Sequence, residues 1–338
     1  MNWYLENGKD SDIVISSRIR LARNLKDFLF KRKMKDEDKI KLLDKVKFVT
    51  PSLGYGLKFL YLKDMDDITK MSLVEKHIIS TEMAFSKEND GAILINDEEN
   101  ICIMVNEEDH IRLQVFTSGL DLQNILNLSI ELDEKLDQLL NFSFSKQYGY
   151  LTACPTNVGT GLRASVMVHL PALKMTGNLG KILQIVNSFG MTIRGVYGEE
   201  SMPRSDIYQI SNNQTLGMSE NEIVQNLENI TKKVIEQERL ARKYLAKNTD
   251  DLEDRVYRSY GILTNARKLS SDECENLLSD IKLGTDLGII TELNDSKVQK
   301  LILYTKPASM QKYLSKKMDG AERDKKRIDI IKQIINEK

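Results

Sequence analysis

The chain has 338 residues, of which 41% are hydrophobic and 29% charged, and its 49 Lys+Arg against 50 Asp+Glu give a net charge of −1. This length exceeds that of one ordinary domain, and the balanced charge creates no overall field for nucleic acid or a membrane, so any anion site must be local. Cys102, Cys154 and Cys274 form no CxxC pair, and the N-terminal residues lack a leader pattern or a long apolar run, which predicts a reduced, cytoplasmic protein.

Up to about residue 215, short β-rich segments alternate with helical ones. The β-rich segments are DIVISSRI, LKFLYL, GAILIN, NICIMVN, SVMVHLP and FGMTIRGVYG, and residues 121–140 have helical spacing. GAILIN and ICIMVN are separated only by DEEN, which predicts a hairpin. We therefore expect an antiparallel sheet flanked by helices in place of strict βαβ alternation.

The pattern changes at Ser219, where a helix N-cap signal is followed by Glu222 three positions later. This capping box begins a long amphipathic segment, and beyond NTDD nearly all of the chain to Lys338 has helical spacing. The sequence thus predicts an α+β domain over residues 1–250 and an all-helical domain over residues 251–338.

Several familiar chemistries lack support. The sequence contains no GxxxxGK[ST] loop, no protein-kinase catalytic loop and no DFG. Its histidines, His77, His110 and His169, are isolated and have no metal-ligand spacing, so we predict no protein-bound metal site.

Arginines recur in the β-rich part of the chain. Those of interest are Arg18, Arg20, Arg112, Arg163 and Arg194. Strand alternation would place Arg18 and Arg20 on one face, and two adjacent like charges cost free energy unless an anion lies between them. Converging guanidinium groups could bind a triphosphate without a P-loop. The alternative for each arginine is an exposed charge or an ordinary ion pair.

Acidic residues accompany these arginines. The segment NEEDH contains Glu107, Glu108 and Asp109 close to Arg112, and YGEE ends in two glutamates, of which Glu199 is the first. Solvated turns are the alternative, but carboxylates are also the groups that would bind a guanidinium substrate.

Cys154 lies just before the glycine-containing segment VGTGLR. It could be a small buried residue or a reactive thiol, and the glycines could let backbone N–H groups approach a ligand.

Taken in order, SSRIRLARN, NEEDHIR, CPTNVGTGLRAS and RGVYGEE followed by DIYQISNNQTLG resemble the phosphagen (guanidino) kinase family, which includes creatine and arginine kinases. The resemblance implies a phosphagen-kinase-like fold that binds ATP, with Mg²⁺ carried on the nucleotide. It assigns the ATP phosphates to Arg18, Arg20, Arg112, Arg163 and Arg194. It also implies that Glu108 is a catalytic carboxylate, Glu199 an acidic residue acting as base, Cys154 a reactive cysteine and His77 a neighbour of the nucleotide.

Two departures from the family indicate a particular branch. The sequence begins almost directly at the ATP-binding strand, without the family's N-terminal helical domain, so we expect an open guanidino site. Near the C-terminus RDKKRI resembles the RDxxRA element of bacterial protein arginine kinases, with Ile328 in place of alanine. That element implies a phosphoarginine pocket formed by Arg323, Asp324 and Arg327, although a solvated basic helix is the alternative.

The resemblance implies a protein arginine kinase, an ATP:protein-arginine N-phosphotransferase. Its implied substrates are misfolded proteins and the heat-shock repressor CtsR, marked for a ClpC-type unfoldase, and its implied partners are an activator, McsA, and a second copy of the chain in a dimer. Nucleic acid and membranes are not expected partners. The alternatives are a kinase for small guanidines and a non-catalytic adaptor or repressor modulator, which the filled catalytic positions disfavour.

Overall fold

The computed structural model describes residues 2–86, 88, 90–195, 205–247 and 249–337. The strands described are β1 (Val14–Arg23), β2 (Lys58–Tyr61), β3 (Ala92–Ile95), β4 (Ile101–Val105), β5 (Ile111–Ser118), β6 (Phe144–Ser145), β7 (Gly149–Tyr150), β8 (Leu162–His169), β9 (Met191–Gly195) and β10 (Ile207–Asn212). Eight of them form one sheet in the order β2-β3-β4-β5-β1-β8-β10-β9, and β6 pairs with β7 in a separate hairpin. Each of these pairings is antiparallel.

The predicted hairpin is confirmed, because β3 pairs with β4 and Ile95 lies opposite Cys102. Strands β5 and β10 are not among the β-rich segments that the sequence predicts. Both carry polar residues at alternate positions, Arg112 and Gln114 on β5 and Gln209 and Ser211 on β10. These side chains interrupt the apolar run that usually identifies a buried strand.

The α-helices of the described residues are α1 (Asp36–Leu53), α2 (Asp67–Glu75), α3 (Thr81–Ala84), α4 (Leu122–Leu140), α5 (Pro171–Met175), α6 (Leu179–Ser188), α7 (Glu220–Leu245), α8 (Thr249–Asn265), α9 (Ser271–Asp286), α10 (Asp295–Tyr304), α11 (Pro307–Tyr313) and α12 (Gly320–Ile335). The predicted capping box begins α7, where Ser219 and Glu222 each bind the backbone N–H of the other. None of these helices is long and apolar enough to cross a membrane.

The central strand β1 separates a hydrophobic face from a polar one. Ile19 and Leu21 are buried in a core shared with α1, α4 and α7. Arg18 and Arg20, which alternate with them, project from the opposite face and are only partly buried. One face of the sheet is therefore available for a polar site.

A second core lies among α8 to α12 and runs from Leu252 to Ile334, whereas the first core ends at Ala241. Buried polar contacts join the two regions, including the ion pair of Arg242 Nη1 with Asp286 Oδ2 at 3.1 Å. The domain bounds 1–250 and 251–338 stay a prediction, and α8 begins two residues before the second of them. The predicted α+β fold, an antiparallel sheet flanked by helices and followed by helices alone, is confirmed.

Candidate active site

Four arginines share one face of the three central strands. Arg20 lies directly opposite Arg163 where β1 pairs with β8. Arg18 precedes Arg20 by two residues and so projects from the same face. On the other side of β1, strand β5 places Arg112 opposite Ala22, which follows Arg20 by two residues. Because opposite residues of an antiparallel pair share a face, the strand register brings the four side chains together.

Arg194 reaches the same face from β9. Gln209 on β10 lies opposite Arg194 on one side and opposite Met167 on the other. Met167 follows Arg163 by four residues along β8, so the alternation of the strand keeps both on one face. Gln209 Oε1 also accepts a hydrogen bond from Arg18 Nη2 at 3.0 Å. All five arginines predicted to bind phosphate therefore line one surface.

The arginine cluster is electrostatically unfavourable by itself. Burial, together with the charges of Arg112 and Arg163, lowers the pKa of Arg18 to about 10. The pKa of Arg20 is lowered well below its usual value by burial and then by its three arginine neighbours, with Glu107 opposing the shift. Arginine keeps its charge in proteins, so this repulsion is relieved by binding an anion. A chain of phosphate groups supplies the several oxygens that such a cluster fits.

Glu107 and Glu108 contact Arg112 differently. Arg112 Nη1 lies 2.6 Å from Oε1 of Glu107, whose side chain is buried, whereas Nη2 lies 3.8 Å from Oε2 of the partly exposed Glu108. Burial is the largest single influence and would raise the pKa of Glu107. The Arg112 charge, together with hydrogen bonds from Ser80 and the backbone N–H of Glu108, nevertheless lowers this pKa overall. The pKa of Glu108 is raised, first by burial and then by the charge of Asp109. Glu108 is thus the better proton acceptor, and Glu107 orients Arg112.

Asp109 connects this acidic segment to the loop that carries Cys154. Its Oδ1 accepts hydrogen bonds from Asn24 Nδ2 and from the backbone N–H of Ala153, both at 2.6 Å. Ala153 immediately precedes Cys154, so the bonds hold the predicted carboxylate and the predicted cysteine in adjacent segments. The sequence motif contains Glu107 and Asp109, but only their burial and their distances to neighbouring groups distinguish their positioning roles from that of Glu108.

Cys154 is partly exposed, whereas Cys102 and Cys274 are buried. Its Sγ lies 3.0 Å from Oγ1 of Thr156. The thiol is therefore accessible to a substrate beside the acidic segment, as a residue that lines the site must be.

The glycines of this loop have a structural explanation. Gly159 and Gly161 have φ angles of +114° and +62°, and a Cβ at Gly159 would lie 2.3 Å from the carbonyl oxygen of Thr215. At Gly161 a Cβ would lie 2.7 Å from the carbonyl oxygen of Ala22 and 2.6 Å from Nη1 of Arg23. Close packing against protein atoms therefore requires glycine at both positions, and the approach of backbone N–H groups to a ligand stays a prediction.

His77 lies at the edge of the arginine cluster. It lines a cavity together with Ser16 and Met167, which belong to the arginine-bearing face of β1 and β8. Burial, followed by the positive charges of Lys306 and Arg18, lowers the pKa of His77 well below its usual value. The imidazole is therefore neutral at pH 7 and borders the predicted phosphate site.

Glu199 lies outside the described residues, four positions beyond the end of β9. Its role as a base stays a prediction. Among the residues that the structure describes, no three His, Cys, Asp or Glu side chains come together to hold a metal ion. The expectation that Mg²⁺ enters on the phosphates of ATP and retains water ligands stays a prediction.

Comparison with known families shows which family the chain resembles. Residues 41–241 match the catalytic-domain model "ATP:guanido phosphotransferase, C-terminal catalytic domain", and residues 249–338 match "Protein-arginine kinase McsB C-terminal domain". A protein-arginine kinase of Halothermothrix orenii is 45% identical over 99% of this chain and 96% of its own length. A protein-arginine kinase of Brevibacillus brevis is 43% identical over 98% of this chain and 94% of its own length.

The chain belongs to the protein-arginine kinase family. It is accordingly a phosphotransferase, and the family and enzyme class predicted from the sequence are confirmed.

Solved structures show how far the family resemblance extends in three dimensions. A duplicated taurocyamine kinase from Schistosoma mansoni, solved with transition-state analogue components, is 28% identical with a TM-score of 0.60, over 67% of this chain and 33% of that one. Lombricine kinase is 25% identical with a TM-score of 0.60, over 71% of each chain. The protein-arginine kinase family thus shares its catalytic fold with kinases named for small guanidines.

The RDKKR element of this protein-arginine kinase lies on α12, and its last arginine is buried. Arg327 is 0% exposed and donates to the carbonyl oxygens of Thr305 at 2.9 Å and of Leu269. It also donates to Asp324 Oδ1 and to Ser271 Oγ, each at 2.8 Å. Arg327 therefore holds helices together and orients Asp324.

Arg323 and Asp324 are more accessible. Both are partly exposed, and Arg323 Nη1 donates to the carbonyl oxygen of Met318 at 3.0 Å. Of the three residues predicted to bind phosphoarginine, these two can reach a ligand without rearrangement, whereas Arg327 supports them from behind. The predicted pocket itself stays a prediction.

Proposed function

We propose that the chain transfers the γ-phosphoryl group of ATP to arginine side chains of proteins. The observation that carries this proposal is the convergence of five arginines beside a carboxylate whose pKa is raised. Mg²⁺ would accompany the nucleotide. The residues proposed to bind its phosphates are Arg18, Arg20, Arg112, Arg163 and Arg194.

The substrate guanidinium needs a proton acceptor. Its pKa exceeds 12, so deprotonation in bulk water at pH 7 would cost on the order of 8 kcal/mol. A carboxylate that binds the guanidinium can orient one nitrogen towards phosphorus and take its proton as the N–P bond forms. Glu108 is suited to this role by its raised pKa. We assign Glu199 as the second carboxylate of the pair, and Cys154 as a thiol that lines the substrate site.

The arginine cluster acts on the other side of the reaction. Phosphoryl transfer passes through a loose transition state whose negative charge is spread over the equatorial oxygens. Fixed guanidinium groups stabilise that charge without reorganising, and loss of one such donor costs roughly 3–4 kcal/mol of barrier. The ion pair between Glu107 and Arg112 pre-orients one of them.

Protein is the proposed substrate in preference to a small guanidine because the relatives that match nearly the whole chain are named protein-arginine kinases. Transfer to a small guanidine is the second candidate, supported by the shared fold of taurocyamine and lombricine kinases. A non-catalytic adaptor is the third, and a chain that transfers no phosphate would support it.

The cellular role is also a proposal. Phosphoarginine would mark misfolded proteins for a ClpC-type unfoldase and would regulate the repressor CtsR, with McsA as activator, in the cytoplasm. A phosphoarginine pocket at Arg323, Asp324 and Arg327 would bind the product and so regulate activity or assembly. The chain would act as a dimer. Co-purification with each partner and light scattering of the purified chain test these points one by one.

One experiment separates the three candidates. The chain is incubated with ATP, Mg²⁺ and either casein or free arginine, and acid-labile phosphate is measured on each acceptor. We expect transfer to casein. Transfer to free arginine alone would support the small-guanidine candidate, and transfer to neither would support the adaptor.

The role of Glu199 is tested in the same assay. Glu199→Gln should nearly abolish transfer to casein while ATP binding is retained. Glu236→Gln, at an exposed position of α7, is the matched control and should keep full activity. Full activity of the Glu199 variant would place the second carboxylate elsewhere.

A further inference from the structure

His77 occupies a backbone position that usually belongs to glycine. Helix α2 ends at Glu75, and the N–H groups of His77 and Ile78 bond to the carbonyl oxygens of Val74 at 2.8 Å and Leu73 at 2.9 Å. This is the helix-ending arrangement that requires a left-handed residue, and His77 has a φ of 60°. Histidine is disfavoured there relative to glycine by roughly 1 kcal/mol. A side chain retained at such a cost indicates a use for the imidazole.

The turn that carries His77 is fastened to the helical region through Glu75. The buried Glu75 carboxylate accepts hydrogen bonds from the backbone N–H groups of Ala308 and Ser309 and from Ser309 Oγ, all at 2.7 Å. These donors belong to the first turn of α11. Lys306 Nζ adds a hydrogen bond to the Glu75 carbonyl oxygen at 3.0 Å. Because each bond to a buried carboxylate is charge-assisted, the connection is strong for its size.

The same residues border a cavity of about 150 Å³. Ser16 and His77 line one side of it, and Leu278 and Lys306 from the helical region line the other. Ser16 precedes Arg18 by two residues on β1, so the cavity continues the face on which the arginines lie. A largely apolar space next to a cationic cluster fits a ligand with a flat base and a phosphate chain.

We propose that Glu75 is a positioning residue of the nucleotide site. By capping α11 it holds the His77 imidazole against the base end of ATP, so the helical region helps to set the affinity for ATP. This inference rests on the proposed function, because it requires the phosphates to lie on the arginine cluster. Glu75 touches no reacting atom and acts through His77.

The test uses the full chain with MgATP and casein. Glu75→Gln replaces an acceptor of three hydrogen bonds with an amide whose NH₂ faces donors, and we expect the KM for ATP to rise about tenfold with kcat changed less than about twofold. His77→Gly suits the backbone conformation and removes only the imidazole, so it should raise the KM for ATP without loss of stability. The double variant should raise the KM for ATP no more than the more severe of the two single variants does, because both changes remove the same contact.

A matched control comes from Glu238. Its carboxylate accepts the backbone N–H groups of Ala172 at 3.0 Å and Leu173 at 2.9 Å, at the start of another proline-led helix, α5. Glu238→Gln should lower the melting temperature and leave the KM for ATP unchanged. An equal rise in KM for the Glu238 variant would reduce Glu75 to a structural residue and overturn the inference.

Arg163→Ala distinguishes failure of the positioning role of Glu75 from failure of the proposed phosphate site. If it weakens ATP binding while His77→Gly and Glu75→Gln do not, the positioning role is wrong and the proposed function stands. If Arg163→Ala also leaves ATP binding unchanged, the phosphate site is wrong and both fail. Should Glu75→Gln not fold, Ser309→Ala removes one donor to the same carboxylate, and an unchanged KM for ATP in that variant and in His77→Gly would overturn the inference.

Discussion

Arg20 and Arg163 lie directly opposite each other on β1 and β8, with their side chains on the same face of the sheet. Directly opposed like charges destabilise an antiparallel pair. The fold therefore maintains a repulsive pair near the centre of its eight-stranded sheet, and we expect an anion bound between the two guanidinium groups to make the arrangement favourable.

Arg20→Ala should separate the repulsion within the arginine cluster from the contribution of the cluster to nucleotide binding. Without nucleotide the variant should be as stable as the parent or more stable by up to ~1 kcal/mol, because a repulsive neighbour is removed. ADP with Mg²⁺ at about 100 times the parent Kd should stabilise the parent by ~2.7 kcal/mol and the variant by much less. Thermal unfolding with and without nucleotide measures both quantities, and Arg267→Ala at an exposed position is the control. A variant less stable in the absence of nucleotide would contradict the repulsion argument.

Glu107→Gln and Glu108→Gln should affect different kinetic constants. Glu107 orients Arg112 from 2.6 Å, so its amide variant should raise the KM for ATP. Glu108 is the proposed proton acceptor, so its variant should lower kcat by roughly 10²–10⁴. Steady-state kinetics with casein and ATP distinguish the two. Equal effects of both variants on kcat would show that the two carboxylates act as a unit.

The pH profile should show the raised pKa of Glu108, which burial and Asp109 shift upwards. A base must be ionised, so kcat/KM falls as pH is lowered through this pKa, and the fall should occur at higher pH than for an ordinary glutamate. Glu107→Gln removes a neighbouring negative charge and should move the fall to lower pH. A profile that does not respond to Glu107→Gln would assign the acid limb to another group.

Part of this site follows from the sequence and part does not. Strand alternation predicts that Arg18 and Arg20 share a face, and they do. The approach of Arg112 and Arg163 depends on which strands are neighbours, a long-range property that residue spacing does not contain. Only the resemblance to a known family supplied it. The different roles of Glu107 and Glu108 required burial and distances.

His110 should make stability depend on pH. Its Nδ1 accepts from the backbone N–H of Leu25 at 3.1 Å and Nε2 lies 2.9 Å from the carbonyl oxygen of Leu29, which fits a neutral ring. Burial lowers the pKa of His110 from 6.5 to about 4. Because the pKa of His110 is lower in the folded than in the unfolded chain, its contribution to the free energy of unfolding is complete above pH 6.5. About 3 kcal/mol of that free energy is lost as the pH falls to 4.

Urea unfolding of the parent and of His110→Gln at several pH values between 7.5 and 4 measures this dependence. His77 and His169 also have lowered pKa values and titrate in both proteins, so the difference between the two curves isolates His110. The variant should lose less stability on acidification. Parallel curves would mean that the pKa of His110 is the same in the folded and unfolded chain, which would contradict the shift.

Arg327→Ala and Arg323→Ala should differ in stability although they are four residues apart. Arg327 is fully buried and bonded to protein acceptors, so its loss should cost roughly 3–5 kcal/mol. Arg323 is partly exposed, and its loss should cost about 1 kcal/mol or less while weakening capture of a phosphoarginine peptide. Urea unfolding and peptide binding measure the two effects. Unchanged capture by Arg323→Ala would remove the predicted pocket.

The helical region shows a second limit of sequence-based prediction. RDKKR places five charged side chains on one helix, and nothing in the motif indicates that Arg327 points into the core while Arg323 does not. Position on α12 relative to Leu269 and Thr305 decides this, and those residues lie on other helices or loops.

Strand β9 lies at the border of the sheet as described, bonded to β10 along one side. Of the five arginines, four stand on interior strands and Arg194 stands on this outer one. A border strand can shift or twist without breaking pairs on a second flank. The interior arginines thus form a rigid template, and we expect Arg194 to be the member of the cluster that adjusts most readily to a bound anion.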